Sequence, residues 1–206
     1  MPYTVKEIFR SLQGEGAQTG RAAVFLRFSG CNLWSGREED RAKAACSFCD
    51  TDFTGGVKYP DAETLAEAVA ALWPQEAEGP RLVVITGGEP ALQLDQVLVD
   101  ALHDRRFEVA VETNGTQPLP TRLDWVTVSP KAGTALAVTS GDELKLIFPQ
   151  DGAPPEAYEG LAFRYFFLQP MDGPDQAANI QAAIARCLTR PRWRLSLQTH
   201  KIAGIP

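Results

Sequence analysis

The sequence predicts an α/β fold, with a mostly parallel sheet curled into a partial, open (β/α) barrel. Three observations predict it. Near-continuous apolar runs of strand length recur along the chain, the pattern of strands buried on both faces. Amphipathic helical stretches alternate with several of them, as parallel connections require. Strands nevertheless outnumber helices, and 206 residues fall short of the roughly 250 that a closed eightfold barrel takes.

Taken in order, Ala22–Phe28 (AAVFLRF) reads as the first strand. A helix over Ala62–Trp73 follows, with Leu65, Val69 and Leu72 on one face and Asp61 as its N-cap behind Pro60. Leu82–Thr86 (LVVIT) is a short β-branched strand. Leu94–Asp104 is a second helix, presenting Val97, Leu98, Ala101 and Leu102. The strands Phe107–Glu112, Trp125–Ser129, Glu143–Phe148 and Arg164–Leu168 come next, with Thr113–Pro120 and Pro149–Pro155 as Gly- and Pro-rich loops. A third helix over Pro174–Leu188 carries Ala177, Ile180, Ala183, Ile184 and Leu188, and Arg194–Leu197 adds a last strand. With no repeat, low-complexity tract or linker, residues 1–206 read as one domain.

Composition removes several function classes. With 44% hydrophobic and 22% charged residues, the chain has the material for a core and is not a disordered one. The 20 Lys and Arg against 26 Asp and Glu give a net charge of −6, which argues against a nucleic-acid partner. No apolar run approaches the roughly 20 residues of a membrane span. The N-terminus lacks the pattern of a signal peptide, so the expected location is the cytoplasm.

Of the four cysteines, Cys31, Cys46 and Cys49 cluster, and Cys187 stands apart on the apolar side of a helix, where it reads as a small buried hydrophobe. In a reducing compartment the three suggest a metal or redox site rather than disulfides. Two readings stay open on spacing alone. A [4Fe–4S] cluster held by three thiolates leaves one iron free for a ligand. A zinc ion takes the same three with Asp50, Asp52 or His200. Context favours the cluster. Cys31 sits just past a strand end, Phe48 places an aromatic face inside the C-x-x-C pair, and the LVVIT strand ends in Thr86-Gly87-Gly88-Glu89-Pro90. The two glycines allow close backbone approach to a ligand, and Glu89 offers a carboxylate to an ammonium group.

These residues resemble the radical S-adenosylmethionine superfamily. Within it the chain is similar, nearly end to end, to the 7-carboxy-7-deazaguanine synthase family. The stretches that carry the likeness are Glu7–Gly16 (EIFRSLQGEG), Cys46–Thr51 (CSFCDT), Thr86–Pro90 (TGGEP), Glu112–Thr116 (ETNGT), Ser129–Lys131 (SPK) and Leu197–Lys201 (LQTHK). The chain departs from the common superfamily motif in its cysteine spacing, with fourteen residues between Cys31 and Cys46 and two between Cys46 and Cys49. An insertion at about 32–45, a short polar helix or loop, accounts for the excess.

The resemblance implies an enzyme that converts 6-carboxy-5,6,7,8-tetrahydropterin to 7-carboxy-7-deazaguanine by radical ring contraction with loss of ammonia, on the pathway to queuosine. It implies a [4Fe–4S] cluster on Cys31, Cys46 and Cys49, S-adenosylmethionine, and Mg2+ at Thr51. Cofactor contacts fall on Phe48, Cys49, Asp50, Gly87, Gly88, Glu89, Ser129, Pro130, Lys131, Gln169, Pro170, Met171 and Asp172. Substrate contacts fall on Leu12, Gln13, Gly14, Glu15, Arg27, Thr86 and Pro206, with Arg27 for the substrate carboxylate and Glu15 for its guanidine-like edge. A plain surface role for Arg27 stays open, as does a simple turn at residues 12–15. Glu112 is a candidate acid, base or magnesium neighbour, or fixes the following loop through Asn114. His200 is a weaker candidate. The family implies a homodimer and a flavodoxin-like electron donor. A radical activase acting on a partner protein's glycine and a non-catalytic zinc module are the competing readings.

Overall fold

A computed structural model describes residues 2–206. Nine strands form one open sheet in the order β3-β1-β2-β4-β5-β6-β7-β8-β9. They are β1 (Tyr3–Leu12), β2 (Ala22–Phe28), β3 (Val57–Tyr59), β4 (Arg81–Gly87), β5 (Phe107–Thr113), β6 (Trp125–Val128), β7 (Ser140–Phe148), β8 (Ala162–Pro170) and β9 (Trp193–Leu195). Every neighbouring pair from β2 to β9 is parallel, whereas β1 runs antiparallel to both β2 and β3. The expected open, mostly parallel barrel is therefore present. Helices α1 (Ala62–Ala71), α2 (Gln96–Asp104), α3 (Gln176–Thr189) and α4 (Thr199–Ala203) complete the fold.

Strand periodicity divides the sheet into two faces. Val24, Leu26, Phe28, Val83, Ile85, Val109 and Val111 join Leu65, Val69, Leu98 and Leu102 of the first two helices in one buried core. Leu144, Leu146, Phe166, Leu168 and Trp193 form a second core with Ala183 of α3. The opposite face is apolar where the strands begin, with Ala23, Phe25, Leu82, Val84 and Ala110, and polar where they end. That gradient makes the concave face a site.

Asp61 caps α1 as expected, accepting from the Thr64 amide at 2.8 Å. Asp95 caps α2 from the Leu98 amide at 3.0 Å and also accepts the Tyr3 hydroxyl at 2.7 Å. Replacing Asp95 with alanine removes the cap and leaves the buried Tyr3 hydroxyl unpaired. It should cost about 2 kcal/mol in denaturant unfolding, and Asp95→Asn should recover most of it.

Several expectations need correction. Four apolar residues assigned to buried helix faces are exposed: Ala177, Leu72 at 38%, Val97 at 65% and Leu188 at 78%. Leu72 is the C-cap of α1, where the face has already turned outward. Val97 lies on the solvent side of α2, whose buried residues are Leu98, Val99, Ala101 and Leu102. Leu188 falls in the last turn of α3, of which only Ala183 is buried. Residues 3–12 form a strand that was not expected, and so do Val57–Tyr59. The segment at 32–45 contains a 3-10 helix at Glu38–Lys43.

Candidate active site

A cavity of about 260 Å³ lies along the concave face. It meets the ends of the parallel strands at Thr86, Gly87, Glu112, Asn114, Ser129, Lys131, Ile147 and Gln169–Asp172, and it meets Cys31 beyond β2. Residues 12–15 reach it from the other direction. Because β1 is antiparallel, Leu12 pairs with Ala22 at the start of β2, so this loop crosses the end of the sheet away from Cys31. The C-terminal segment adds Gln198, His200 and Pro206.

The cavity gathers most of the candidate residues: Cys31, Cys46, Cys49, Phe48, Asp50, Thr51, Gly87, Gly88, Ser129, Lys131, Gln169–Asp172, Leu12–Glu15, Arg27, Thr86, Glu112, His200 and Pro206 all line it. Pro130 and Glu89 do not. Glu89 corrects the expectation directly. It is fully buried, and its carboxylate accepts the Thr113 hydroxyl at 2.7 Å, the Asn114 amide at 2.7 Å and the Ala91 amide at 2.9 Å. Burial raises its pKa against these hydrogen bonds. Glu89 thus anchors the ETNGT loop beneath the rim and offers no free carboxylate to a ligand. Asn114 is held by Glu89 and by Asn32 at 3.0 Å, so Glu112 does not fix that loop. Glu112 accepts instead from Gln13 Nε2 at 2.9 Å.

The three cysteines stand at one end of the cavity as free thiols. A hydrogen bond from Cys46 pulls the Cys49 thiol down to about 6 despite burial, while burial pushes the Cys31 thiol up. Among the described residues, no group of three or more His, Cys, Asp or Glu is placed to hold a metal ion. Two of the three extra ligands of the zinc reading are committed elsewhere, and the third, His200, lines the cavity against Gly14. Asp50 pairs with Lys201 at 2.7 Å, and Asp52 pairs with Lys6 at 2.6 Å. Three thiols without a fourth donor, facing a ligand cavity, fit a cluster with one open iron better than a closed structural ion. Cys187 is half-buried against the second core, away from the cavity.

Charge in the cavity is organised by Lys145, which the strand-like context ELKLIF concealed. Its ammonium pairs with Glu15 and lies 3.8 Å from Glu112. Burial works against the charged lysine, but Glu112, Glu15 and Glu143 outweigh it and hold its pKa above the ordinary range. Burial likewise opposes the Glu15 carboxylate, and Lys145, Gln198 and Gln169 overcome it, leaving Glu15 well below the usual carboxylate range. The available signal was the alternation of Glu143 and Lys145, which puts both on one face of a buried strand.

Arg27 donates from Nε to Glu7 at 2.8 Å, which leaves its terminal amino groups for an anion. The tail is tied down at several points. Thr199 donates from its amide and hydroxyl to the Gly14 carbonyl, each at 2.9 Å. Lys201 bridges Asp50 and Asp172 at 2.7 and 2.6 Å, and Ser11 donates to the Pro206 carbonyl at 2.7 Å.

Comparison with known proteins agrees with this geometry. The family model of the Radical SAM superfamily matches residues 41–143, a span that includes Cys46 and Cys49 and starts after Cys31. The chain is 61% identical to the 7-carboxy-7-deazaguanine synthase of Caulobacter vibrioides and 60% identical to that of Bordetella pertussis, with 100% of each chain covered. Its fold matches the crystal structure of QueE from Escherichia coli with a TM-score of 0.71 and 30% identity, covering 96% of this chain and 94% of that one.

Proposed function

The chain belongs to the 7-carboxy-7-deazaguanine synthase family of radical S-adenosylmethionine enzymes, and from that premise we propose that it contracts 6-carboxy-5,6,7,8-tetrahydropterin to 7-carboxy-7-deazaguanine with loss of ammonia, in the biosynthesis of queuosine. The observation that carries this reading is the single cavity joining three thiols, a glycine-lined strand end and an arginine with free donors. Its size suits small molecules better than a protein loop, which favours this reaction over a glycyl-radical activase.

Cys31, Cys46 and Cys49 would hold the [4Fe–4S] cluster at their end of the cavity. When bound and reduced, the cluster and S-adenosylmethionine supply the one-electron chemistry that begins with hydrogen loss from C6 of the pterin. This chain's residues bind, orient and shield. The backbone at Gly87 and Gly88 would receive the methionine end of the cofactor, with Glu89 anchoring that rim from below. Phe48 offers a face to the adenine, and Asp50, Ser129, Pro130, Lys131 and Gln169–Asp172 border the nucleoside. Arg27 receives the pterin carboxylate through its terminal donors. Leu12, Gln13 and Gly14 border the ring edge with backbone groups, joined by Thr86, His200 and Pro206. Glu15, held as an anion beside Lys145, accepts from the aminopyrimidinone, and Glu112 borders the same end of the cavity. The Thr51 hydroxyl, only weakly tied to Asp50 at 3.5 Å, is the protein ligand for Mg2+, which keeps water in most of its shell.

The free thiols suit the reducing cytoplasm, and no helix among the described residues is long and apolar enough to cross a membrane. The functional unit in this reading is one domain, paired as a homodimer and reduced by a flavodoxin-like donor. The decisive experiment is anaerobic reconstitution followed by incubation with carboxytetrahydropterin, S-adenosylmethionine, Mg2+ and reductant. Brown protein with about four irons per chain and a ring-contracted product by mass spectrometry are expected. Colourless protein carrying zinc, or a loaded cluster that yields no such product, overturns the proposal.

A further inference from the structure

The insertion at 32–45 folds back onto the C-x-x-C turn through one side chain, Arg41. Its Nη1 donates to the carbonyls of Ser47 at 2.9 Å and Cys49 at 3.0 Å. Its Nε donates to both oxygens of Glu38 at 2.8 Å. Its guanidinium lies over the Trp34 ring at 4.2 Å. Trp34 is itself fixed. It is 8% exposed, packs edge-on against Phe53 at 5.5 Å and donates from Nε1 to the Arg37 carbonyl at 3.1 Å. A backbone bond from Ala45 to the Leu33 carbonyl at 3.2 Å closes the base of the insertion.

We propose that the insertion is a clamp on the cluster loop, with Arg41 as the positioning residue that holds the Cys46–Cys49 turn facing Cys31. The inference rests on the cluster assigned above and assigns a task to a segment that the reaction itself does not use. A long spacing between the first two cysteines leaves the second pair free to drift relative to the first. Two carbonyls held by the two N–H groups of Nη1, on a planar guanidinium whose Nε is tied to Glu38, remove that freedom, because the rigid plane fixes direction as well as distance. Stacking on a buried indole holds that plane in place. Glu38 neutralises the guanidinium locally, so the grip is geometric and not a field applied to the cluster. Arg41 does not line the cavity, and its side chain is 30% exposed, so its loss leaves the fold standing.

The test uses reconstituted full-length protein, with Arg41→Met and Arg41→Lys beside the parent. Iron release to a chelator is followed at the cluster absorbance, and the melting temperature of the cluster-free protein is measured in parallel. Arg41→Met should release iron about tenfold faster, the consequence of losing charge-assisted bonds to two carbonyls. Arg41→Lys, which keeps charge but not the rigid plane, should fall between the two. The cluster-free melting temperatures should coincide, a result that a merely structural role would not give. Equal release rates in all three proteins overturn the clamp and leave the cluster reading intact, as does faster release matched by an equal loss of cluster-free stability. Failure of the parent to take up a cluster overturns the reading on which the clamp rests.

Discussion

Gly88→Ala should abolish most activity and cluster retention while leaving the fold in place. A Cβ at residue 88 would lie 2.7 Å from the Gly30 carbonyl carbon and 2.8 Å from Cys31 Cβ, and would collide with the Gly30 oxygen. These neighbours are mainly backbone and cannot swing away as a flexible side-chain tip does. The Glu89 amide donates to that same Gly30 oxygen at 2.9 Å, so the two strand ends are stitched together where the methyl would enter. Relief requires residues 30–31 to move, and Cys31 moves with them. Overpacking of this kind costs about 1–3 kcal/mol, which the domain survives. Misplacement of a reactive centre by about 1 Å costs on the order of a hundredfold in rate. Iron content after reconstitution and turnover should therefore both collapse, while circular dichroism stays native. Full iron content with parental turnover would show that the loop yields and that the close approach is incidental.

How much of this was legible in the sequence depends on where each residue's partners lie. The central parallel strands were readable because runs such as LVVIT are buried on both faces and carry their own signal. β1 was not, since YTVKEIFRSL mixes charge into both of its faces. Its Lys6 and Arg27's partner Glu7 are satisfied only by residues far along the chain. The five-residue α4 exists because Thr199, Lys201 and the tail beyond find partners at Gly14, Asp50, Asp172 and Ser11, contacts with no local trace. The site was legible as a set of motifs, and nearly all of those motifs line one cavity. Motifs do not say which way a side chain points, however. Glu89 follows two glycines at a strand end and looks like a ligand, yet it turns under the rim to satisfy three protein donors. Arg41 sits in a polar stretch that looks like a solvated face, and its function depends on two carbonyls beyond the insertion.

Lys145→Met should destabilise the protein by about 3–5 kcal/mol at neutral pH, the usual consequence of stranding a buried charge. Lys145 and Glu15 have side chains only 6% and 14% exposed, and the lysine is the cation that Glu15, Glu112 and Glu143 share. The pH dependence gives the effect its signature. In the parent, the folded-state pKa of Glu15 lies below its ordinary 4.5. Its contribution to stability is therefore full above that value and is lost as pH falls through the depressed one. In the variant the cation is gone and burial dominates, so the folded-state pKa rises above 4.5. The unfolded chain then gives up the Glu15 proton first, and stability falls as pH climbs from 4.5 toward the raised value. The gap in melting temperature between parent and variant should thus widen steadily from acid to neutral pH. Removing the carboxylate's charge as well tests the cause. Glu15→Gln combined with Lys145→Met strands fewer charges and should be more stable than Lys145→Met alone at pH 7, a non-additivity that a simple packing defect does not produce. A double variant no better than the single one, or a single variant whose deficit is flat with pH, would show that Lys145 acts through its alkyl chain and not through the charge it carries in the cavity.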